Sequence, residues 1–222
     1  MELWTRVPEP ELMDTAEQAR AYAAADFTEP HEAFVTRFRD RFPTFSAARV
    51  LDLGCGAADV TVRFARAYPG AHLHGVDGAR AMLDEGARLV HRAGLGERVV
   101  LELRRLPDPS LAGAGYGAVI SNSLLHHLAD PAVLWTTIET TARADAPVFV
   151  MDLRRPVDTD VAHDLVITYA ADESPVLRDD FYRSLCAAYT ADEIRAQLAA
   201  TKLGHLQVEA IGDRHLVVWG FA

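Results

Sequence analysis

Five short apolar runs, at residues 49–53, 73–77, 99–103, 118–122 and 148–152, alternate with stretches whose apolar residues recur at helical spacing. Runs this short suit strands better than helices. Parallel neighbours need a crossover, and residues 59–68, 79–93 and 131–142 supply helices for it. The pattern predicts an α/β, Rossmann-like fold: a mostly parallel sheet with helices on both faces. After residue 152 the alternation stops. Residues 156–200 read as helical and polar, and 206–211 and 215–220 as two strands joined at Gly212-Asp213, a terminal antiparallel hairpin at the sheet edge. Upstream, residues 11–41 read as helix, with a break near Thr28-Glu29-Pro30.

The first strand runs into "LDLGCGAADV", residues 51–60, and the next helix opens at Asp59. In an open parallel sheet a ligand lies beyond the carboxyl ends of the strands, where this loop falls. Gly54 and Gly56 let the backbone turn sharply and approach a ligand. A dinucleotide site would carry a third glycine where Asp59 stands, under the pyrophosphate. Two negative groups ~4 Å apart repel by roughly 1–4 kcal/mol, so the ligand expected here is cationic or zwitterionic. Asp77 ends the second strand, where a carboxylate can accept from both hydroxyls of a ribose. An unphosphorylated nucleoside with a positive, amino-acid-like tail meets both conditions, and S-adenosylmethionine is that molecule. Asp52 and Asp77 would each also serve as a helix cap, but the pair, each ending a strand, points to a ligand.

Composition narrows the partners. The 222 residues carry a net charge of −10, which argues against a nucleic-acid substrate. The two cysteines, Cys55 and Cys186, form no disulfide framework. Residues 1–18 hold acids where a signal peptide needs an apolar core, and no apolar run is long enough for a bilayer. A cytoplasmic protein is expected, without nucleic-acid or membrane partners, as monomer or homodimer. No histidine cluster has metal-ligand spacing, so no metal is expected.

VLDLGCGAAD, HGVDGARAML, YGAVISNSLLHHLADP and APVFVMDLRRP, spread over roughly residues 45–155, together resemble the class I S-adenosylmethionine-dependent methyltransferases. The resemblance implies a seven-stranded sheet with a reversed final hairpin. It implies a helical lid over 1–44 and a cofactor-binding domain over 45–222, with a helical substrate-side insertion at about 156–200. Carried over, Gly54 and Gly56 contact the methionine part of the cofactor, Asp52 faces its ammonium, Asp77 takes the ribose diol, and Met82 packs on adenine or in the core. Tyr22 belongs to the lid. Cys55, Gly78, Ser121 and Asn122 are further cofactor-side candidates, with Cys55 expected to pack rather than react. At the adenine edge the sequence departs from the family pattern: Glu102, or backbone groups of Leu103 and Arg104, would serve there.

The fourth strand ends in Ser121-Asn122-Ser123-Leu124-Leu125-His126-His127. Family members that methylate base amines or glutamine amides carry Asn-Pro-Pro-Tyr or a variant at this turn. Its absence points to the small-molecule branch, with O-, N-, C- or S-methylation and S-adenosylhomocysteine as product. His126 and His127 are the catalytic candidates, because an imidazole titrates near neutrality and can take an acceptor's proton. Either also suits helix packing, and in-line transfer can proceed by positioning alone. His126, Arg154, Tyr169 and Tyr182 are substrate-side candidates; Arg154 or Arg155 would clamp an anion or pair with Asp158 or Asp160. A nicotinamide-dependent oxidoreductase and a non-catalytic cofactor-binding regulator are the rival readings.

Overall fold

A computed structural model describes residues 4–9, 12 and 14–222. The chain runs α1 (Ala16–Ala24), α2 (Thr28–Arg41), β1 (Arg49–Leu53), α3 (Asp59–Ala67), β2 (His72–Asp77), α4 (Arg80–Arg92), β3 (Val99–Leu103), β4 (Ala118–Asn122), α5 (Ala132–Thr141) and β5 (Pro147–Leu153). It continues through α6 (Thr159–Ala170), α7 (Pro175–Ala187), α8 (Ala191–Ala199), β6 (Gln207–Ile211) and β7 (His215–Phe221). The seven strands lie in the order β3-β2-β1-β4-β5-β7-β6. The first five are parallel, while β7 pairs antiparallel with β5 and with β6. Strand order reverses between β1 and β4, and that switch point opens the crevice where open sheets bind ligands.

Alternation along each strand feeds two cores. Val50, Ala118, Ile120, Phe149 and Met151 face one core with α2, α3 and α4. Leu51, Leu53, Val119, Val148 and Val150 face the other, with Leu134, Trp135 and Ile138 of α5 and Ile194 and Leu198 of α8. The period of two explains the split.

Two expectations shift. The N-terminal helix breaks at 25–27, and Thr28-Glu29-Pro30 instead opens α2. Proline is tolerated in a first turn, where its missing N–H has no intrahelical partner. Only the first turn of α2, with Glu29, Pro30 and His31, reaches the ligand edge; farther along, Phe34 and Phe38 are fully buried, and Phe38 meets Phe64 at 4.8 Å and Phe149 at 5.9 Å between ring centroids. α1 packs on α4 and α7, and α6 packs on α7, whereas α8 belongs to a sheet face.

Candidate functional site

A cavity of about 380 Å³ runs beyond the carboxyl ends of β1, β2 and β4. At one end, Gly54 and Gly56 have φ of +69° and +51°, a region side chains rarely adopt. The Gly54 N–H donates to the Val76 carbonyl at 2.9 Å, tying the loop to β2. A Cβ on Gly54 would lie 2.8 Å from Leu124, so this position also sets how closely the β4 turn approaches.

Asp77 lines this end. Its Oδ2 accepts the Gly56 N–H at 2.9 Å and its Oδ1 the Ala79 N–H at 2.7 Å. Burial raises its pKa against these backbone donors. Asp52, 1% exposed, accepts from the Thr61 hydroxyl at 2.6 Å. Burial pushes its pKa up to about 7, so a cation placed against it would restore its charge. Asp59 is not the bare charge that the sequence argument against a pyrophosphate assumed. Arg63 Nε donates to it at 2.7 Å, and His31 Nδ1 lies 2.6 Å away. Burial pushes Asp59 up, but those hydrogen bonds prevail and hold it below the usual range.

Tyr22 and Met82 line the cavity and pack with Ala19, Ala57 and Ala79, so α1 covers this end. Gly78, Asn122 and Cys55 also line it. The Cys55 sulfur sits against Gly75, where an added Cβ would come within 2.9 Å, and burial raises its pKa well above that of a free thiol. Past β3, Arg104, Arg105 and Leu106 reach the cavity. Leu103 is not part of the lining and is 44% exposed on the edge strand. Glu102 is absent from the lining and accepts from Arg104 Nε at 3.0 Å. Ser121 is fully buried outside the lining, donating to the Leu53 carbonyl at 2.8 Å to join β4 to β1.

The far end is built around His126, which is 2% exposed. Its Nδ1 lies 2.5 Å from Asp152 Oδ1, and Asp152 Oδ2 accepts the Leu125 N–H at 2.7 Å. Burial pushes the imidazole down and the carboxylate up, but their mutual attraction outweighs both, so His126 lies above and Asp152 below the usual range. His127 lines the cavity too, its ring 4.2 Å from that of His126. No motif in the sequence marks Glu9. Its Oε1 lies 3.5 Å from His126 Nε2 and 3.2 Å from His127 Nδ1, and accepts from Ser184 Oγ at 3.0 Å. Glu9 belongs to a strap, residues 4–9, which Arg6 pins by donating to the Ala187 and His126 carbonyls at 2.5 and 2.8 Å and lying over the Tyr189 ring. No local pattern joins residue 9 to residue 126; only the path of the strap does.

Tyr169 lines the cavity, bonded to Asp213 Oδ2 at 2.6 Å beneath Arg214. Tyr182 lies outside the lining, stacked on His163 at 4.4 Å. Arg154 is turned to the β6–β7 hairpin, donating to the Asp213 carbonyl at 3.0 Å. Arg155 is bound to Glu193 at 2.6 Å and to the Ala188 carbonyl at 3.2 Å, not to Asp158 or Asp160. His31, Phe27, Asp180, Arg214 and His215 also line the cavity, and no sequence motif marks them. The last two arrive because β7, paired with β5, starts level with its end.

Residues 50–147 match a family model described as "Methyltransferase domain". Trans-aconitate 2-methyltransferase of Pseudomonas paraeruginosa is 46% identical over 59 residues, 27% of this chain and 22% of that protein. Release factor glutamine methyltransferase of Gloeobacter violaceus is 38% identical over 91 residues, 41% of this chain and 32% of that protein. The chain thus spans less than half the length of these relatives. The plantazolicin methyltransferase BpumL, solved with a triazolic desmethylPZN analog and SAH, superimposes with a TM-score of 0.71 at 12% identity, over 92% of this chain and 90% of that one. Residues 50–147 thus match a methyltransferase domain, and the seven-stranded order ending in a reversed hairpin, with the glycine loop at its switch point, is the fold that the chain shares with solved methyltransferases.

Proposed function

We propose that this protein transfers the methyl group of S-adenosylmethionine to a small-molecule acceptor by in-line displacement. One observation carries the reading: a single cavity joins the Asp77–Gly56 brace to the buried His126–Asp152 pair. In it, Asp77 takes the ribose diol, Asp52 balances the cofactor's ammonium, and Tyr22 and Met82 flank the adenine beneath α1. Arg104, Arg105 and Leu106 provide the adenine edge. The methyl then points past Asn122 toward His126 and His127, which receive the acceptor's polar atom and take its proton where one must leave. Alignment of the acceptor against the activated carbon supplies much of the acceleration.

The acceptor end favours a neutral or cationic small molecule. Asp26, Glu29, Glu173 and Asp180 line the cavity, and Arg214, also in the lining, is already engaged with Glu29, Tyr169 and Asp213. A tricarboxylate such as trans-aconitate meets repulsion there. The turn after β4 has no Asn-Pro-Pro-Tyr, which disfavours a glutamine amide. Both cysteines are free, which suits a reducing compartment, and the cytoplasm is the proposed location. No described helix is long and apolar enough to cross a membrane. The lid comprises α1 and the strap before it.

Calorimetry with S-adenosylmethionine and S-adenosylhomocysteine tests the cofactor. Release of S-adenosylhomocysteine across matched amine, phenol and carboxylate acceptors tests the chemistry. Absence of cofactor binding overturns the reading, and preferred turnover of polycarboxylates overturns the acceptor class.

A further inference from the structure

We infer that Glu9, His126 and His127 form a binding site for a divalent metal ion of the zinc class, an inference that rests on the acceptor pocket proposed above. One ligand atom from each of the three lies within 4.8 Å of the others. Zinc holds nitrogen and oxygen ligands at ~2.0–2.1 Å, and a tetrahedron of that size has edges of about 3.3–3.4 Å. The Glu9 Oε1 separations from His126 Nε2 and His127 Nδ1, 3.5 and 3.2 Å, bracket that edge.

The surroundings are those of a metal site. A ligating histidine characteristically gives its other ring N–H to a carboxylate, which fixes its tautomer. His126 does so through Nδ1 to Asp152 at 2.5 Å, leaving Nε2 for the ion. Glu9 is steadied by Ser184 at 3.0 Å and held by the Arg6-pinned strap. The Glu9 carboxylate is only 8% exposed and faces both imidazoles, so an ion placed between them would meet a shielded carboxylate oxygen. Two histidines and one glutamate leave a fourth position, the pattern of zinc sites that bind a reactant. Both imidazoles border the cavity, which sets the ion beside the space proposed for the acceptor.

An acceptor oxygen or sulfur bound there would lose its proton to solvent, because the ion lowers its pKa as it does that of water. Its lone pair attacks the methyl carbon. The carbon–sulfur bond breaks, and its electron pair stays on sulfur as the thioether of S-adenosylhomocysteine. In the loaded protein His126 is a ligand rather than a proton acceptor.

The test is a titration of chelator-treated, tag-free protein with CoCl2, followed by visible d–d absorption and calorimetry. One equivalent is expected to bind with a four-coordinate spectrum that ZnCl2 abolishes. Glu9→Gln and His127→Ala are each expected to weaken binding by roughly 10–100-fold or more, with S-adenosylhomocysteine affinity unchanged. Glu9→Gln lies on the strap outside the main cores, so it reports even if His127→Ala misfolds. A wild type without the four-coordinate spectrum, or variants that bind cobalt as it does, overturns the site. Failure of the methyl-transfer reading shows separately, as loss of S-adenosylhomocysteine binding in the wild type.

Discussion

Asp77 reaches back from the end of β2 to the loop leaving β1, its Oδ2 accepting the Gly56 N–H at 2.9 Å. The carboxylate that would bind the ribose therefore also sets the loop that would bind the methionine tail. A hydrogen bond to a charged group contributes about 1.5–3 kcal/mol. Asp77→Ala, which removes two such bonds to the ribose, is expected to weaken S-adenosylhomocysteine binding by roughly 100-fold or more. Thermal stability also falls, because Gly56 and Ala79 lose their acceptor. Micromolar binding in the variant equal to that of wild type removes the ribose assignment.

Cofactor affinity is expected to depend on pH through Asp52. Its pKa stands at about 7 in the empty protein because burial disfavours its charge, while an ammonium beside it requires the carboxylate. Affinity should rise as pH increases toward about 7, by up to roughly tenfold per unit, and then level off. The stability of the empty protein runs the other way. The folded state binds the proton more tightly than the unfolded chain, so stability declines between the ordinary carboxylate range and about pH 7. Calorimetry from pH 5.5 to 8.5 (about three units around the shifted value) reads this, and Asp52→Asn should flatten the profile.

Alanine at His126 or at His127 is expected to lower turnover at least about tenfold while cofactor binding persists, the usual scale for losing a proton-transfer group. Full activity in both variants would assign the transfer to alignment alone, or to a base elsewhere. Initial rates of S-adenosylhomocysteine release make the comparison.

Asp152→Asn should destabilise the fold by about 3–5 kcal/mol, since it removes the nearer and more deeply buried counter-charge of His126. Combining it with His126→Gln should cost less than the sum of the two single changes. Urea denaturation of the four proteins closes the cycle, and strict additivity would mean the pair is not coupled.

Phe38 and Tyr22 should separate core from cover. Phe38 is fully buried among Phe42, Phe45, Phe64, Tyr68 and Phe149, and Phe38→Ala is expected to cost about 3–5 kcal/mol. Tyr22→Ala, in α1, should cost far less stability while weakening cofactor binding. Equal destabilisation by the two would place α1 in the core as well.

The sequence by itself determined the parallel sheet and its reversed hairpin, because a strand's apolar run, its period and its turn residues are local. It also determined the positions of Asp52, Gly54, Gly56 and Asp77, since loops that follow strands in such a sheet gather at one edge. Only the tertiary structure decided which polar groups face the ligand. Arg154 and Ser121 stand at the right end of their strands, yet their side chains are held by backbone carbonyls elsewhere. Asp59 reads as a bare charge until His31 folds against it from α2. Glu9 meets His126 and His127 only because Arg6 anchors the strap across the sheet's edge. Contacts between distant segments depend on how whole layers pack, and nothing in a short window of residues encodes that.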